Sequence, residues 1–275
     1  VHRYKKWEWQ LTPESLDRQA AFFSKVLEGP SKREAASVDF WPRVRLHVTE
    51  KFYAGSWRDE STYPLARTVR KKFNFSADGS LQPTTSTQTP HTAEYNAHNG
   101  SLIYTIKFPK PTEITGSSKL HLRFAVTGQQ ATDADVFITL QKRDTQGKTV
   151  YFPYHTFINE GHVAWGWLRA SRRALSERAF GDEVSHTHQA KDAQPLSANE
   201  AVDLDINIQP TATHFRTGES LVLVIQGRDF GEFGPQCQVP RAGTGVNEDT
   251  MHRVFLEGSY LELPIIPHYL DDAQS

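Results

Sequence analysis

The chain has 275 residues, with 37% hydrophobic and 23% charged side chains, a balance that suits one large folded domain or a small unit joined to a full one. No apolar run reaches the roughly 20 residues a membrane-crossing helix needs, which excludes a membrane as partner. Lys and Arg total 31 against 32 Asp and Glu, for a formal net charge of -1, so no overall field draws the chain to nucleic acid.

Taken in chain order, the first predicted element is a helix. Thr12 can cap it, Pro13 is pre-set for the first helical position, and Glu14 lies next to the positive end of the dipole. Leu16, Ala20, Phe23 and Leu27 recur at helical spacing until Gly29-Pro30 stops the run. The polar stretch from Ser31 to Asp39 reads as a linker or surface loop.

After Trp41-Pro42 the period changes to two, with Val44, Leu46 and Val48 alternating with Arg43, Arg45 and His47. Further strands are expected at Lys71 to Phe75, Leu102 to Phe108, Lys119 to Val126, Val136 to Lys142 and Thr149 to Tyr154. The series continues at Val202 to Ile208, Ser220 to Gln226 and Ser259 to Leu263. Turns are expected at Asp78-Gly79, Asn99-Gly100, Thr115-Gly116, Gln146-Gly147 and Thr217-Gly218. Gly161 to Pro195 reads as a long irregular insertion with a short helix near Ala174 to Ala179, and Phe230 to Asn247 as a second excursion. About ten short strands without regular intervening helices argue for two packed antiparallel sheets, a mainly β sandwich of the jelly-roll kind.

Cys237 is the single cysteine, which rules out an internal disulfide framework and favours a reducing, cytoplasmic compartment. Asn74-Phe75-Ser76 and Asn99-Gly100-Ser101 fit the glycosylation sequon, which matters only for a secreted protein. No signal segment opens the sequence and Met251 is the only methionine, so the start reads as truncated.

Several stretches, in this order and spacing, resemble the X-Pro dipeptidyl-peptidase and cocaine-esterase-like (CocE/NonD) family of serine hydrolases. His2 with Lys5-Lys6-Trp7-Glu8 and Thr12-Pro13-Glu14-Ser15 is similar to the segment in which that family's catalytic histidine precedes the last helix of the α/β-hydrolase domain. Trp41 to Leu46 resembles the entry to the family's C-terminal jelly roll, which is galactose-binding-like. Asp133-Ala134-Asp135-Val136-Phe137, Gly166 to Ser171, Phe215 to Glu219, Asn247 with His252, and Leu263 to Pro267 continue the likeness, as does Thr112 to Gly116 with Lys119-Leu120. The chain departs from the pattern at Gly258 to Glu262, where the family ends in a Tyr-Asp-Ser turn, and at Arg172, where the family often has His.

The resemblance implies residues 1-40 as the end of an α/β-hydrolase catalytic domain, 41-267 as the jelly-roll domain and 268-275 as a tail. It implies His2 as catalytic general base, relaying the proton of a serine to the leaving group. Such a hydrolase uses Ser, then Asp or Glu, then His in chain order. No Gly-x-Ser-x-Gly string occurs, so the chain alone is expected to be inactive, because a base without its alcohol has nothing to activate. The partners implied are the missing catalytic domain, an ester or peptide substrate and further copies of the chain; no cofactor is implied.

Other clusters have plainer readings beside functional ones. His186 and His188 can offer half a metal site, although a closed site needs about four ligands. Asp133 and Asp135 can act as paired carboxylates or bind calcium, but solvated carboxylates at a strand start are commoner. Trp165 and Trp167 can form an aromatic wall for a substrate or sugar, or simply pack. A stand-alone binding module, carbohydrate-binding among the choices, and a structural scaffold are the rival readings. A large apolar patch left on the Thr12 to Leu27 helix discriminates against both, because it implies an absent partner.

Overall fold

The computed structural model describes residues 11–27, 41–52, 54–84, 91–128, 131–152, 160–177, 183–230 and 250–267. Helix α1 spans Pro13–Leu27. Its cap forms as the sequence predicts: Ser15 N donates to Thr12 Oγ1 at 3.3 Å, and Leu16 N to the Thr12 carbonyl at 2.9 Å.

Strands make up most of the rest of the described architecture. They are β1 (Val44–Lys51), β2 (Ala54–Glu60), β3 (Val69–Phe75), β4 (Leu81–Gln82), β5 (Thr92–Asn96), β6 (Ser101–Lys107) and β7 (Thr112–Thr127). There follow β8 (Asp135–Arg143), β9 (Thr149–Val150), β10 (Ala164–Arg169), β11 (Val202–Phe215), β12 (Ser220–Gln226) and β13 (Met251–Ile266). Their main path runs β4-β3-β13-β7-β11-β10-β8-β12-β6. The sheet folds over on itself at two seams, giving a mainly β sandwich. At one, β10 meets β11 only through Gly166 and Ile208. At the other, Ser80 bridges to Thr105, bringing β4 to β6.

Alternation along each strand fills the space between the layers. Leu120, Leu122, Phe124 and Val126 of β7 meet Val136, Ile138 and Leu140 of β8 and Leu221, Leu223 and Ile225 of β12 in one continuous core. Each such side chain contributes roughly 1.5–3 kcal/mol on burial. Gly166 makes the first seam possible, because a Cβ there would lie 2.5 Å from the Asn207 carbonyl, well inside van der Waals contact.

Four local expectations are corrected. Thr115-Gly116 is not a turn between strands; both lie inside β7, with Gly116 at φ 126° opposite Thr211, where the β7–β11 register slips. The slip is a bulge, which bends the long strand without ending it. The supposed insertion after Gly161 contains β10, a strand paired residue for residue with β8. Ala174 to Glu177 form no helix: Leu175 bridges to His186 instead, and the short 3-10 turn lies earlier, at Ala170–Arg172. Regular pairing in the Thr149 to Tyr154 run ends at Val150, with a bridge at Phe152; Pro153 and Tyr154 lie outside the described residues.

Candidate functional site

His2, the sequence's candidate base, lies outside the described residues, as do Cys237 and Asn247. The helix that follows His2 is described, and its orientation is informative. Arg18 places its guanidinium over the Trp41 ring at 4.7 Å, and Ser15, Arg18, Ala21 and Ser24 are half-buried. The apolar stripe points the other way: Phe23 is 55% exposed and Leu27 75%, with Leu16 and Phe22 also exposed. Phe22 and Phe23 lie edge to face, 5.5 Å apart. A helix whose polar side meets its own chain while its apolar side meets solvent is set up for another body.

The two signature stretches around Asp133 and Arg169 meet each other. Asp135 faces Arg169 directly across β8 and β10, and the guanidinium donates Nε and Nη2 to its two oxygens, both at 2.8 Å. Asp133 accepts from Ser171 N at 2.8 Å, Ser171 Oγ at 2.6 Å and Ala134 N at 2.9 Å. These carboxylates are held by donors from Arg169 and Ser171 and, at Asp133, from Ala134 N, which makes them structural anchors rather than an acid/base pair.

His186 and His188 sit with ring centroids 5.7 Å apart. Burial and, less strongly, the neighbouring His188 hold the His186 pKa below its ordinary value. Among the described residues no group of three or more His, Cys, Asp and Glu is arranged to hold a metal. Nearby, His121 Nδ1 lies 2.9 Å from Asp205 Oδ1, with Tyr260 stacked on the imidazole at 4.9 Å. The His121 side chain lowers the Asp205 pKa. This is a histidine–carboxylate pair without a nucleophile, since neither member bonds to a serine or cysteine among the described residues.

Trp165 and Trp167 share the outer face of β10; Trp167 is 61% exposed and Trp165 half-buried beside His162, at 6.0 Å. His252 takes the opposite environment. It is fully buried, its Nδ1 is 2.8 Å from the Tyr95 hydroxyl, and its ring stands edge-on to Tyr95 and Phe124. Burial pushes its pKa down to about 4.

Two charged arrangements escaped the sequence reading. Lys142, 1% exposed, donates to the Glu50 carbonyl at 2.8 Å and the His214 carbonyl at 2.7 Å, and pairs with Glu219 at 2.7 Å. Glu113 is buried, takes both arms of Arg58 at 2.5 and 2.6 Å, and accepts the Thr115 hydroxyl at 2.6 Å. Arg67, followed by Arg58, holds the adjoining Glu60 down to about 2. Lys142 had a legible signal, since alternation from Val136 through Ile138 and Leu140 aims it inward. Glu113 had none, because its partner is 55 residues away.

Residues 37–261 match the family of the X-Pro dipeptidyl-peptidase C-terminal non-catalytic domain. The chain belongs to that family. A CocE/NonD family hydrolase from Staphylococcus aureus is similar at 29% identity and a TM-score of 0.82, over 95% of this chain and 48% of its own. The chain thus spans about half the length of that relative. An α-amino acid ester hydrolase (16% identity, TM-score 0.58, 82% of this chain and 41% of its own) shares the fold. So does an aminopeptidase from a marine sediment Thaumarchaeota archaeon (16%, 0.60, 90% and 43%). No curated protein matches the sequence.

As a non-catalytic C-terminal domain of CocE/NonD-type hydrolases, the sandwich uses its signature residues to hold its own strands. The stretch where the chain departs from the resemblance also holds strands together. Here Ser259 receives Arg123 N at 3.0 Å and donates to the Phe255 carbonyl at 2.6 Å, carrying β13 through a bulge at Gly258, φ 89°. No described helix is long and apolar enough to cross a membrane.

Proposed function

We propose that the chain is the C-terminal part of a serine hydrolase that cleaves ester or X-Pro peptide bonds, and that it turns over nothing by itself. Residues 1-40 complete the α/β-hydrolase domain, 41-267 form a jelly-roll domain beside its active-site cleft, and 268-275 are a tail. His2 is the general base: it takes the proton of a serine hydroxyl as the oxygen attacks the carbonyl, then returns it to the leaving group. The serine and the acid that orients the imidazole come from the catalytic half, and no cofactor enters.

The observation that carries this reading is the outward apolar stripe of α1. Leu16, Phe23 and Leu27, 47%, 55% and 75% exposed, each forgo a share of the roughly 1.5–3 kcal/mol that full burial gives, and a docked catalytic domain recovers it. Support also comes from the Staphylococcus aureus hydrolase, whose likeness spans 95% of this chain and so reaches beyond the residues of the family match. The test is hydrolysis of a p-nitrophenyl ester and of an X-Pro p-nitroanilide by a polypeptide joining the catalytic half to this chain. His2→Ala in that polypeptide should lower kcat by at least about 10³-fold with little change in KM. Near-normal turnover by the variant removes His2 from the mechanism.

A second reading, a carbohydrate-binding module, is favoured by one observation, the exposure of Trp167 beside Trp165 on the outer face of β10. Tryptophan fluorescence that shifts saturably with an added glycan, and no longer shifts in Trp167→Ala, would support it.

A further inference from the structure

The sandwich closes at only part of its second seam. β4 pairs with Asn74 and Phe75 of β3, and just before it Ser80 bridges in parallel to Thr105 of β6, where Thr105 N donates to the Gly79 carbonyl at 3.0 Å. After Gln82 comes Pro83, which has no N–H with which to continue a ladder. No described strand takes up the line. A cleft of about 940 Å³ lies there, between Val69–Phe73 on one side and Thr105–Phe108 on the other.

Both walls are strand edges. Ser76 N donates to Ser80 O on the β4 side. Because peptide groups alternate sides along a strand, those of Asn74 and Lys72 project the same way. On the facing wall Thr105 bonds toward Gly79 while Phe108 bonds toward β12 through Glu219 and Gly218, so Lys107 presents its peptide group to the cleft. The cleft therefore occupies the place of a missing length of strand.

Its chemistry is also specific. The floor is core, from Phe73, Leu81, Ile106 and Phe108. On the outer face, opposite the floor, the strands flanking the cleft carry exposed lysines, Lys72 on β3 and Lys107 on β6. Lys107 and Lys110 line the same opening. No ion pair engages Lys72 or Lys107 among the described residues, and Lys72 lies over the Tyr260 ring at 4.1 Å. The one carboxylate of the lining, Asp78, is bonded to Ser80 N at 2.9 Å and Ser80 Oγ at 2.6 Å.

We propose that this open seam binds an extended peptide segment of a partner protein, one alternating apolar with acidic side chains. The peptide adds a strand between β3 and β6. Its main chain pairs with both edges, its apolar side chains cover the floor, and its carboxylates project from the outer face, where they meet Lys72 of β3 and Lys107 of β6. A small apolar acid would use the floor and one lysine but leave both edges unpaired. The proposal is independent of the hydrolase reading, since it concerns a seam within the sandwich and no residue of α1.

The test uses the 275-residue chain and a fluorescein-labelled octapeptide alternating valine with glutamate. Three comparisons accompany it: the same peptide with lysine for glutamate, the Val/Glu peptide N-methylated at alternate amides, and dodecanoate as competitor. The Val/Glu peptide should bind at least about tenfold more tightly than either altered peptide. It should also slow hydrogen exchange at the Lys72 and Lys107 amides. Lys72→Glu with Lys107→Glu, both exposed positions, should leave the chain folded and reverse the preference between the Glu and Lys peptides. Equal affinity for the two charge types, indifference to N-methylation, or binding of dodecanoate where the Val/Glu peptide does not bind would each overturn the proposal. So would no binding of any peptide at millimolar concentration.

Discussion

Asp135 and Arg169 stand directly opposite on β8 and β10, joined by two parallel hydrogen bonds of 2.8 Å. The carboxylate is buried at 6% exposure while the guanidinium reaches partly into solvent, so removal of either partner leaves the other differently placed. Asp135→Ala should destabilise the chain by about 2 kcal/mol, seen as a lower urea midpoint with an unchanged slope. Arg169→Lys should cost less than Arg169→Ala but more than nothing, because an ammonium cannot reproduce the forked geometry. Equal midpoints for wild type and Asp135→Ala would show the pair to be ornamental.

Lys142 is the most buried cation described and ties three elements together through Glu50, His214 and Glu219. Burial lowers its pKa and Glu219 opposes the shift. Lys142→Met should destabilise by about 3 kcal/mol, because the Glu219 carboxylate loses its partner while remaining mostly enclosed. Adding Glu219→Gln should recover part of that loss, a coupling measurable in a double-mutant cycle. Strict additivity of the two changes would contradict the pairing.

His252 makes stability depend on pH. Its folded pKa of about 4 lies below the unfolded value near 6.5, so the unfolded chain takes up the proton first as pH falls. The stability tied to a neutral His252 is fully present above about pH 6.5. It declines as pH drops toward 4, by about 3 kcal/mol in all. His252→Gln removes this titration, so the gap between wild type and variant in chemical denaturation should narrow by that amount over the window. Parallel curves would mean that the imidazole is protonated in place.

How much of this was legible in sequence depended on whether a strand buried one face. β12 is read to the residue, Ser220 to Gln226, because every position after the first is buried and the run is bounded by Thr217-Gly218. β2, Ala54–Glu60, went unread because its side chains are mostly exposed and carry no apolar alternation. β10 went unread for another reason: its inward positions are Ala164, Gly166 and Leu168, and Gly166 is demanded by the close approach to β11 rather than by hydrophobicity. Asp133 and Asp135 looked like chemistry until their donors came from residues 34 and 38 positions away. Such long-range partners have no local signature. The proposed base, His2, lies outside the described residues, so its role rests on the resemblance and the neighbouring helix.

That helix supplies its own test. Phe22→Ser with Phe23→Ser removes apolar surface already in water, so the unfolding free energy of the 275-residue chain should change by less than about 0.5 kcal/mol. The same pair should weaken association with a separately produced catalytic half by at least about tenfold, read by ultracentrifugation. A large loss of stability in the chain alone would mean that its own sandwich covers the stripe.

The most direct measurement is p-nitrophenyl ester turnover by this chain alone, set beside the polypeptide that also carries the catalytic half. The account predicts that the chain releases p-nitrophenol no faster than buffer, while the joined polypeptide shows saturable turnover. Saturable hydrolysis by the 275-residue chain alone would contradict it.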